Sequence, residues 1–284
     1  MESLEGRTVI TTGAASGIGR ATATSVAKRG ANVVVADRDE AGAATAVAAL
    51  RETGADAIAV ATDVGDESAF ETLRDAALAE FGRVDVVMNN AGVLTRGFPE
   101  QIPVTEWEKV ININLMSVVR SNAAFLPLLL EQGSGHLVNT ASFAGLYGYS
   151  FDRLPYAASK AAIVQISEGL AFYLRPKGIG VTVLCPGPVA TNIAASITSF
   201  GPDAGTRGPG TQFTVKFPDE VGEQVANAIL TDRFMVSTDD QVFEILERRV
   251  SDWDGFVNDA IAHWDEPSTP SMPTAPGAQI GADK

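Results

Sequence analysis

The stretch of sequence that decides the fold is Arg7-Thr-Val-Ile-Thr-Thr-Gly13-Ala-Ala-Ser-Gly17-Ile-Gly19. Its first six residues are mostly β-branched and predict a buried strand, and an alanine-rich helical pattern follows from about 20 to 29. Glycines between a strand and a helix let the backbone turn tightly and approach a pyrophosphate, which the free N–H groups of the helix N-terminus attract. The loop Gly13, Ser16, Gly17, Ile18, Gly19 is therefore a candidate dinucleotide site, although the same glycines without a ligand would also form a tight strand–helix turn.

Strands and helices alternate through the next part of the chain. Strands are predicted near 31–36, 56–61, 84–88, 136–140 and 180–184, and helices near 40–53, 66–81, 104–130 and 155–175. Nearly all-apolar strands that alternate with helices of ten or more residues predict a parallel sheet covered on both faces. The predicted fold class is α/β and Rossmann-like: a doubly wound, mainly parallel sheet of about seven strands with helices on both faces, and a ligand at the carboxyl ends of the strands.

The pattern changes after Cys185. Residues 192–216 hold glycines and prolines among Ser and Thr and predict a loop, which a helix from Pro218, a short strand near 234–237 and a helix near 239–263 follow. From Glu266 the chain is rich in Pro, Ser, Gly and Ala, which indicates a tail that is disordered or lies on a neighbour. We therefore expect one dinucleotide-binding and catalytic domain over 1–265, a substrate loop at about 192–216, and a tail over 266–284.

Composition excludes several classes of protein. The 284 residues, 45% of them hydrophobic, suffice for a large domain with a sizeable core. A net charge of −14 repels nucleic acid and anionic membranes, and we find neither a secretory signal nor an apolar run of the roughly 18 residues that a membrane span needs. A single cysteine, Cys185, suits a reducing cytoplasm, and two histidines leave little material for a metal site. We expect a cytoplasmic protein without a metal, nucleic-acid or membrane partner.

The end of the second predicted strand bears on the choice of cofactor. Asp37 stands where a carboxylate can accept hydrogen bonds from adenosine ribose hydroxyls and repel a 2′-phosphate, but a solvated aspartate at a strand end would have the same pattern. Ala14 and Ala15 put no cation in the glycine loop, which favours NAD. Arg38 could turn towards a phosphate, which leaves NADP open.

Tyr156 and Lys160 form a candidate acid/base pair. They are four residues apart, so on a helix they lie on the same face. An ammonium near a phenol favours the phenolate and lowers the pKa of the tyrosine from about 10 towards the working range, where it can act as a general base for an alcohol proton. The spacing also arises by chance on solvated helix faces, so the pair needs a cofactor site beside it.

Six motifs occur in order along the chain: Thr12-Gly-Ala-Ala-Ser-Gly-Ile-Gly19, Asn89-Asn-Ala-Gly92, Asn114 in Ile-Asn-Ile-Asn-Leu, Ser142, Tyr156-Ala-Ala-Ser-Lys160 and Pro186-Gly187. Together they resemble the short-chain dehydrogenase/reductase family. The resemblance covers residues 5 to about 192 well and 218–263 only as a general layout. Each motif alone is weak, and six of them in the right order are specific.

The resemblance implies which residues hold the cofactor. Asp63 and Val64 would contact the adenine, and the fourth strand would end beside the adenosine ribose. A later loop would line the nicotinamide. The implied contacts in these two segments are Asn90, Ala91, Gly92, Pro186, Gly187, Val189 and Thr191.

The resemblance also implies a catalytic tetrad, Asn114, Ser142, Tyr156 and Lys160. Ser142 would hydrogen-bond the substrate oxygen, and Tyr156 would be the acid/base. Lys160 would hold the nicotinamide ribose and lower the pKa of Tyr156, and Asn114 would hold a water through its main chain at a helix irregularity. The activity implied is NAD(P)-dependent interconversion of a secondary alcohol and a ketone, with NAD preferred, in a homotetramer or homodimer.

Two other functions remain open on the same residues. One is a sugar epimerase or dehydratase, which would need a larger C-terminal domain than the roughly 90 residues after Cys185. The other is a catalytically silent dinucleotide sensor, which the presence of Ser142, Tyr156 and Lys160 together disfavours.

The turn before Tyr156 is the least defined part of the predicted site. Ser142 and Tyr156 are 14 residues apart where the family commonly has 13, so we expect one inserted residue within 145–155. The aromatic and apolar side chains of this turn either pack within the loop or wall a substrate pocket: Phe143, Tyr147, Tyr149, Phe151 and Leu154. With the long loop at 192–216 they favour a medium or bulky apolar substrate, such as an aryl or alicyclic alcohol.

Overall fold

The computed structural model describes residues 1–193, 197–202 and 207–271. Its strands are Thr8–Thr12 (β1), Asn32–Asp37 (β2), Ala57–Ala61 (β3), Val86–Asn89 (β4), Thr95–Gly97 (β5), Gly135–Thr140 (β6), Ile179–Cys185 (β7), Thr198–Phe200 (β8) and Met235–Ser237 (β9). Its helices are Gly17–Ala27 (α1), Glu40–Glu52 (α2), Ala69–Phe81 (α3), Val104–Ile111 (α4), Ser117–Gln132 (α5), Leu154–Leu174 (α6), Pro218–Thr231 (α7), Val242–Ser251 (α8) and Trp253–Ala262 (α9).

Seven of the strands form one parallel sheet in the order β3-β2-β1-β4-β6-β7-β9. The chain builds outward from β1 to β3 and then returns to the other side of β1 with β4, so the strand order reverses between β1 and β4. In a doubly wound sheet the crevice outside this reversal is where ligands bind. The predicted fold class, a seven-stranded parallel sheet with helices on both faces, is confirmed.

Alternate residues of the central strands supply the two layers of the core, because successive side chains of a strand point to opposite faces. Val9, Val33 and Val35 pack on one face with side chains of α1, α2 and α7. Ile10 and Val34 pack on the other face, with side chains of α3, α5 and α6. Burial on both faces explains why these strands are almost wholly apolar in sequence.

The predicted helix near 104–130 is one long helix interrupted by a π-turn. The turn spans Asn112–Met116 between α4 and α5, so the helix irregularity expected at Asn114 is present. By length and apolar composition, Val104–Gln132 could cross a membrane, a run that the sequence analysis did not identify. Buried helices of globular domains pass the same test, and here Phe125 and Leu129 are fully buried in the layer beside the sheet.

The C-terminal part differs from the sequence prediction in two ways. The single helix predicted near 239–263 is two helices, because Asp252 leaves helical geometry and its side chain accepts a hydrogen bond from Gly255 N at 2.9 Å, which caps α9. The described start of the predicted tail lies on its own chain: Ser268 O and Ser271 O accept hydrogen bonds from Gly210 N and Val215 N, both at 3.0 Å. Residues 194–196 and 203–206 of the predicted loop, and 272–284 of the tail, lie outside the described residues.

Candidate active site

One pocket of about 550 Å³ lies at the carboxyl ends of the central strands. It is lined by all of the residues that the sequence analysis predicted for the site except Gly19 and Asn114. The structure therefore brings together segments that are far apart in the chain, from Gly13 to Pro270.

The glycine loop needs glycine for two different reasons. Gly13 and Gly17 have φ values of +65° and +57°, in the left-handed region that side chains rarely adopt. Gly19 does not line the pocket; a Cβ there would lie 2.4 Å from Gly13 O, so this glycine permits α1 to approach the strand closely. Ser16 precedes α1 without a side-chain hydrogen bond that caps the helix, so the loop offers first-turn N–H groups at the pocket.

Asp37 holds the glycine loop in place from the end of β2. Its Oδ2 accepts a hydrogen bond from Ala15 N at 2.9 Å, and its Oδ1 accepts one from Asp39 N at 3.0 Å. Arg38 and the exposed Asp63 also line this end of the pocket. Asp63 Oδ1 accepts a hydrogen bond from Gly65 N at 2.9 Å.

Threonines that the sequence analysis did not select connect the strand ends. Thr12 Oγ1 accepts hydrogen bonds from the backbone N–H groups of Asn90 and Ala91, at 3.0 and 3.2 Å. The Asn90 side chain donates back to Thr12 O at 3.1 Å and accepts from Thr140 Oγ1 at 3.3 Å. This network fixes the crossover between β1, β4 and β6 at the floor of the pocket.

Asn114 lies behind the pocket wall. Its side chain pairs with the backbone of Val93, accepting from the N–H at 2.8 Å and donating to the carbonyl at 3.0 Å, and also donates to Ser159 Oγ at 3.0 Å. Asn114 thereby connects the loop after β4 to α6. A Cβ at Gly92 would lie 3.4 Å from Asn114 Oδ1 and 3.5 Å from Lys160 Nζ, so this glycine separates the two side chains.

Ser142, Tyr156 and Lys160 line the pocket together. Ser142 follows β6, and its Oγ accepts a hydrogen bond from Ala144 N at 3.2 Å. Tyr156 lies in the first turn of α6, and Lys160 follows one turn later, with Nζ 5.6 Å from the Tyr156 ring centroid. The Lys160 ammonium donates to Thr140 O at 2.7 Å.

Burial dominates the electrostatics of this pair. Burial raises the pKa of Tyr156 to about 12, and the hydrogen bond with Ser142 opposes this rise. Burial also lowers the pKa of Lys160 to about 8. In the protein alone, loss of solvation dominates the pKa of each buried group, and a lowering of the Tyr156 pKa by Lys160 stays a prediction.

The aromatic turn divides between the core and the pocket. Phe143 is buried against Phe213, with ring centroids 5.2 Å apart, and against Gly187, where a Cβ would lie 2.6 Å from its ring. Tyr147 is buried and its hydroxyl donates to Pro209 O at 3.0 Å. Tyr149 lines the pocket beside Tyr156.

A second cavity of about 750 Å³ adjoins the first. Its walls are mostly apolar, and Tyr149, Arg207, Gly208 and Pro209 line both cavities. The sequence indicates only part of this cavity, because its walls come from three distant segments. The apolar walls include Tyr147, Phe151, Leu154, Ile245, Phe256, Val257, Ile261 and Trp264.

Two reactive residue types outside the pocket have structural surroundings. His136 lies in β6, bonds Thr182 Oγ1 at 2.8 Å, and has its pKa lowered to about 3 by burial. Cys185 is fully buried, and burial raises the pKa of its thiol to about 12. Neither residue is poised to act as a nucleophile or base at neutral pH.

Comparisons with known proteins agree with this geometry. A family model described as short chain dehydrogenase matches residues 7–200. The chain is 35% identical over 273 residues to 1-deoxy-11-beta-hydroxypentalenate dehydrogenase of Streptomyces avermitilis, which covers 95% of this chain and 97% of that one. It is 38% identical over 197 residues to cis-4-hydroxycyclohexanecarboxylate dehydrogenase of Sinomonas cyclohexanicum, covering 69% of this chain and 78% of that one.

Solved structures are similar over most of the chain. A short chain dehydrogenase/reductase from Burkholderia phymatum in complex with NAD has a TM-score of 0.80 at 33% identity, covering 89% of this chain and 96% of that one. A 3-ketoacyl-(acyl-carrier-protein) reductase from Brucella melitensis complexed with NADH has a TM-score of 0.75 at 28% identity, covering 84% and 98% of the two chains.

Proposed function

This chain belongs to the short-chain dehydrogenase family of oxidoreductases, and on that premise we propose that it interconverts a secondary alcohol and a ketone with a nicotinamide dinucleotide. The observation that carries the proposal is that Ser142, Tyr156 and Lys160 line the same pocket as the glycine loop. A phenol and an ammonium beside a dinucleotide cradle suit acid/base chemistry at an alcohol oxygen.

The pocket fits such a cofactor. The left-handed Gly13 and Gly17 and the N-terminus of α1 suit a pyrophosphate, and Asp37 suits ribose hydroxyls. No cation lies among residues 13–19 of the loop, which supports NAD over NADP, and two similar solved structures hold NAD or NADH. We assign the remaining contacts to Asp63, Val64, Asn90, Ala91, Gly92, Pro186, Gly187, Val189 and Thr191.

Ser142, Tyr156 and Lys160 have distinct parts in the proposed mechanism. A bound nicotinamide dinucleotide supplies the hydride acceptor or donor. Ser142 and Tyr156 hydrogen-bond the substrate oxygen, and Tyr156 takes the hydroxyl proton in oxidation or donates it to the carbonyl in reduction. With a pKa of about 12 in the protein alone, Tyr156 is mainly protonated at neutral pH, the form that donates to a ketone, and only its phenolate form takes the proton of an alcohol. Lys160, with a pKa of about 8, can exchange a proton near neutrality.

The substrate is proposed to be medium-sized or bulky and apolar. The adjoining apolar cavity of about 750 Å³ opens from the Tyr149 side of the pocket, which supports a body larger than a short alkyl alcohol. The names of the two relatives describe hydroxylated compounds, one of them a cyclohexane ring with a carboxylate. These names support an alicyclic alcohol.

The first experiment is a panel of secondary alcohols and ketones with NAD(H) and NADP(H), followed at the nicotinamide absorbance. We expect turnover of cyclic secondary alcohols with NAD. Tyr156→Phe should reduce kcat by at least about 1,000-fold while the Kd for NADH changes less than about threefold, because only the acid/base hydroxyl is removed. Turnover that persists in this variant would show that another group moves the proton.

A further inference from the structure

Arg207 lies at the junction of the two cavities. It lines both of them, as do Tyr149, Gly208 and Pro209. The Arg153 side chain donates to Arg207 O at 2.8 Å, and Arg153 directly precedes α6, the helix that carries Tyr156. Arg207 is therefore held at the Tyr156 end of the catalytic pocket, where a substrate would pass from one cavity into the other.

The guanidinium of Arg207 has no anionic partner among the described residues. It stacks over the Trp264 ring, with Cζ 4.2 Å from the centroid, and its buried Nε has no hydrogen-bond partner. A buried donor without a partner costs stability, so the Nε–H of Arg207 needs an acceptor beyond the described side chains, such as a water or a bound ligand. A guanidinium stacked on an aromatic face keeps its edge free to form two parallel hydrogen bonds.

The buried carboxylate of Asp152, next to Arg153 in the chain, already has partners of its own. Asp152 is 1% exposed and forms ion pairs with Arg96 at 2.6 Å and Arg153 at 2.7 Å. Although burial opposes it, the hydrogen bonds from Arg153, Ser150 and Arg96 hold the pKa of Asp152 below its usual value. This carboxylate is therefore ionised and fully paired, and the group of two arginines and one aspartate adds a net positive charge beside Arg207.

The charges that line the two cavities are distributed unevenly. At the catalytic end of the pocket the charged lining side chains are Lys160, Arg153 and Arg207, all cations. The acidic lining residues Asp37 and Asp63 lie at the opposite end, with the glycine loop and Arg38. In the apolar cavity, Glu244 and Glu266 are exposed, as are Arg248 and His263, so these charges belong to the solvent side. A chain with a net charge of −14 thus presents its catalytic pocket to an anion.

We propose that the substrate carries a carboxylate in addition to its alcohol or ketone, and that Arg207 binds this carboxylate while the apolar ring system occupies the adjoining cavity. This inference rests on the proposed function and narrows its substrate to apolar hydroxy or keto acids. A singly charged planar carboxylate matches the Arg207 guanidinium in charge and in the spacing of its two oxygens. The half-buried rings of Trp264 and Phe256 line the adjoining cavity and offer apolar contacts to the ring system of the substrate.

The test compares acids with their neutral isosteres. The substrates are cis- and trans-4-hydroxycyclohexanecarboxylate and the two corresponding carboxamides, oxidised with NAD. We expect the wild type to prefer the acids over the amides by at least about tenfold in kcat/KM. A charged pair with two parallel hydrogen bonds strengthens binding of the acid by more than about tenfold relative to the amide. In Arg207→Leu the preference for the acid should fall to less than about twofold. In Arg207→Lys it should be intermediate, because the positive charge stays but the planar guanidinium that donates two parallel hydrogen bonds is lost.

A binding measurement makes the result independent of turnover. Calorimetric titration with cyclohexanecarboxylate and with cyclohexanecarboxamide should give tighter binding of the acid to the wild type and equal binding to Arg207→Leu. Arg74→Leu is the charge-matched control, because Arg74 lies on α3, pairs with Asp75, and lines neither cavity. Thermal unfolding of each variant shows whether the fold is retained.

Three results would overturn the inference: equal use of acids and amides by the wild type, an equal loss on both substrates in Arg207→Leu, or a tenfold weaker Kd for NADH in that variant with the acid preference intact. The last result would assign Arg207 to the cofactor. Turnover of neutral alcohols without acid preference would refute this inference and leave the proposed function standing. Arg207-dependent binding of the acid, without turnover of any alcohol or ketone, would support the acid site and refute the proposed function.

Discussion

At the scale of single residues, Tyr156 and Lys160 respond to burial in opposite directions. Both groups favour their neutral forms, so the pKa of Tyr156 rises to about 12 and that of Lys160 falls to about 8. A buried ammonium costs folding free energy, and its single described hydrogen bond, to Thr140 O, offsets this in part. The pocket therefore keeps a charged group where an apolar one would be more stable, as functional sites commonly do.

Replacing Lys160 should stabilise the fold in a pH-dependent way. Because the pKa of Lys160 is lower in the folded protein than its ordinary value of 10.5, the unfolded chain binds more protons between about pH 8 and 10.5, and stability rises with pH across that window. At pH 7 the whole penalty is present, so Lys160→Met should raise the free energy of unfolding by roughly 1–3 kcal/mol. The gain should shrink towards pH 10.

Urea unfolding at pH 7 and at pH 9.5 measures this difference. Lys28→Met is the control, since Lys28 is exposed and should show no gain at either pH. A Lys160→Met protein that is equally or less stable at pH 7 would mean that the contact with Thr140 outweighs the desolvation of the ammonium.

Asp37 should control the choice between NAD and NADP. Asp37→Asn keeps an oxygen for the N–H of Ala15 and removes the charge that repels a 2′-phosphate. We expect the ratio of kcat/KM for NADP to that for NAD to rise at least about tenfold. Asp39→Asn removes an equal charge in the same turn, keeps the cap of α2, and should leave the ratio unchanged. An unchanged ratio in Asp37→Asn would contradict the ribose assignment.

At the scale of elements, the break between α8 and α9 shapes the apolar cavity. Asp252 ends one helix and caps the next, so that α9 and the residues after it turn Phe256, Ile261 and Trp264 towards the cavity. A continuous helix over 239–263, as the sequence predicted, would give these side chains a different direction. The cap therefore helps to shape the apolar cavity as well as the fold.

Removing this cap should weaken the cavity wall without affecting the cofactor site. Asp252→Ala should cost about 1 kcal/mol of stability and speed hydrogen exchange in α9. KM for a bulky cyclic alcohol should rise several-fold while the Kd for NADH stays within about twofold, because α9 lines only the apolar cavity. Asp252→Asn, which keeps a capping oxygen, should behave like the wild type. Unchanged exchange in α9 would show that the cap does not hold the helix.

At the scale of the whole molecule, apolar side chains remain exposed on α4, α5 and α6. Phe172 is 74% exposed and Val104 72%, with Tyr173 and Val119 also exposed on these helices. Large exposed aromatic residues commonly mark an interface. We propose that two copies of the chain associate through this face, in a homodimer or within a homotetramer.

A charge placed on this face should dissociate the assembly. Phe172→Asp should shift the molar mass measured by light scattering to half or less of that of the wild type, since a carboxylate buried between copies loses its solvation. Val250→Asp is the control, because Val250 is 75% exposed but lies on α8. The same mass for Phe172→Asp and the wild type would place the interface elsewhere or rule it out.

The sequence by itself determined the sheet, its helical cover and most of the catalytic pocket. The strand Thr8–Thr12, the glycine loop and α1 follow from local periodicity and backbone freedom, which depend on neighbouring residues. The positions of Ser142, Tyr156 and Lys160 follow from motif order. These features are local or repeat a shared pattern, so they could be predicted without coordinates.

Only the tertiary structure decided the properties that depend on distant segments. The pKa values of Tyr156 and Lys160 are set mainly by burial, which no spacing in the sequence encodes. Arg207 and Trp264 are 57 residues apart (264 − 207 = 57) and meet at the junction of the two cavities through loop packing. Their contact, and the carboxylate site proposed there, arise from long-range packing, which a single sequence does not specify.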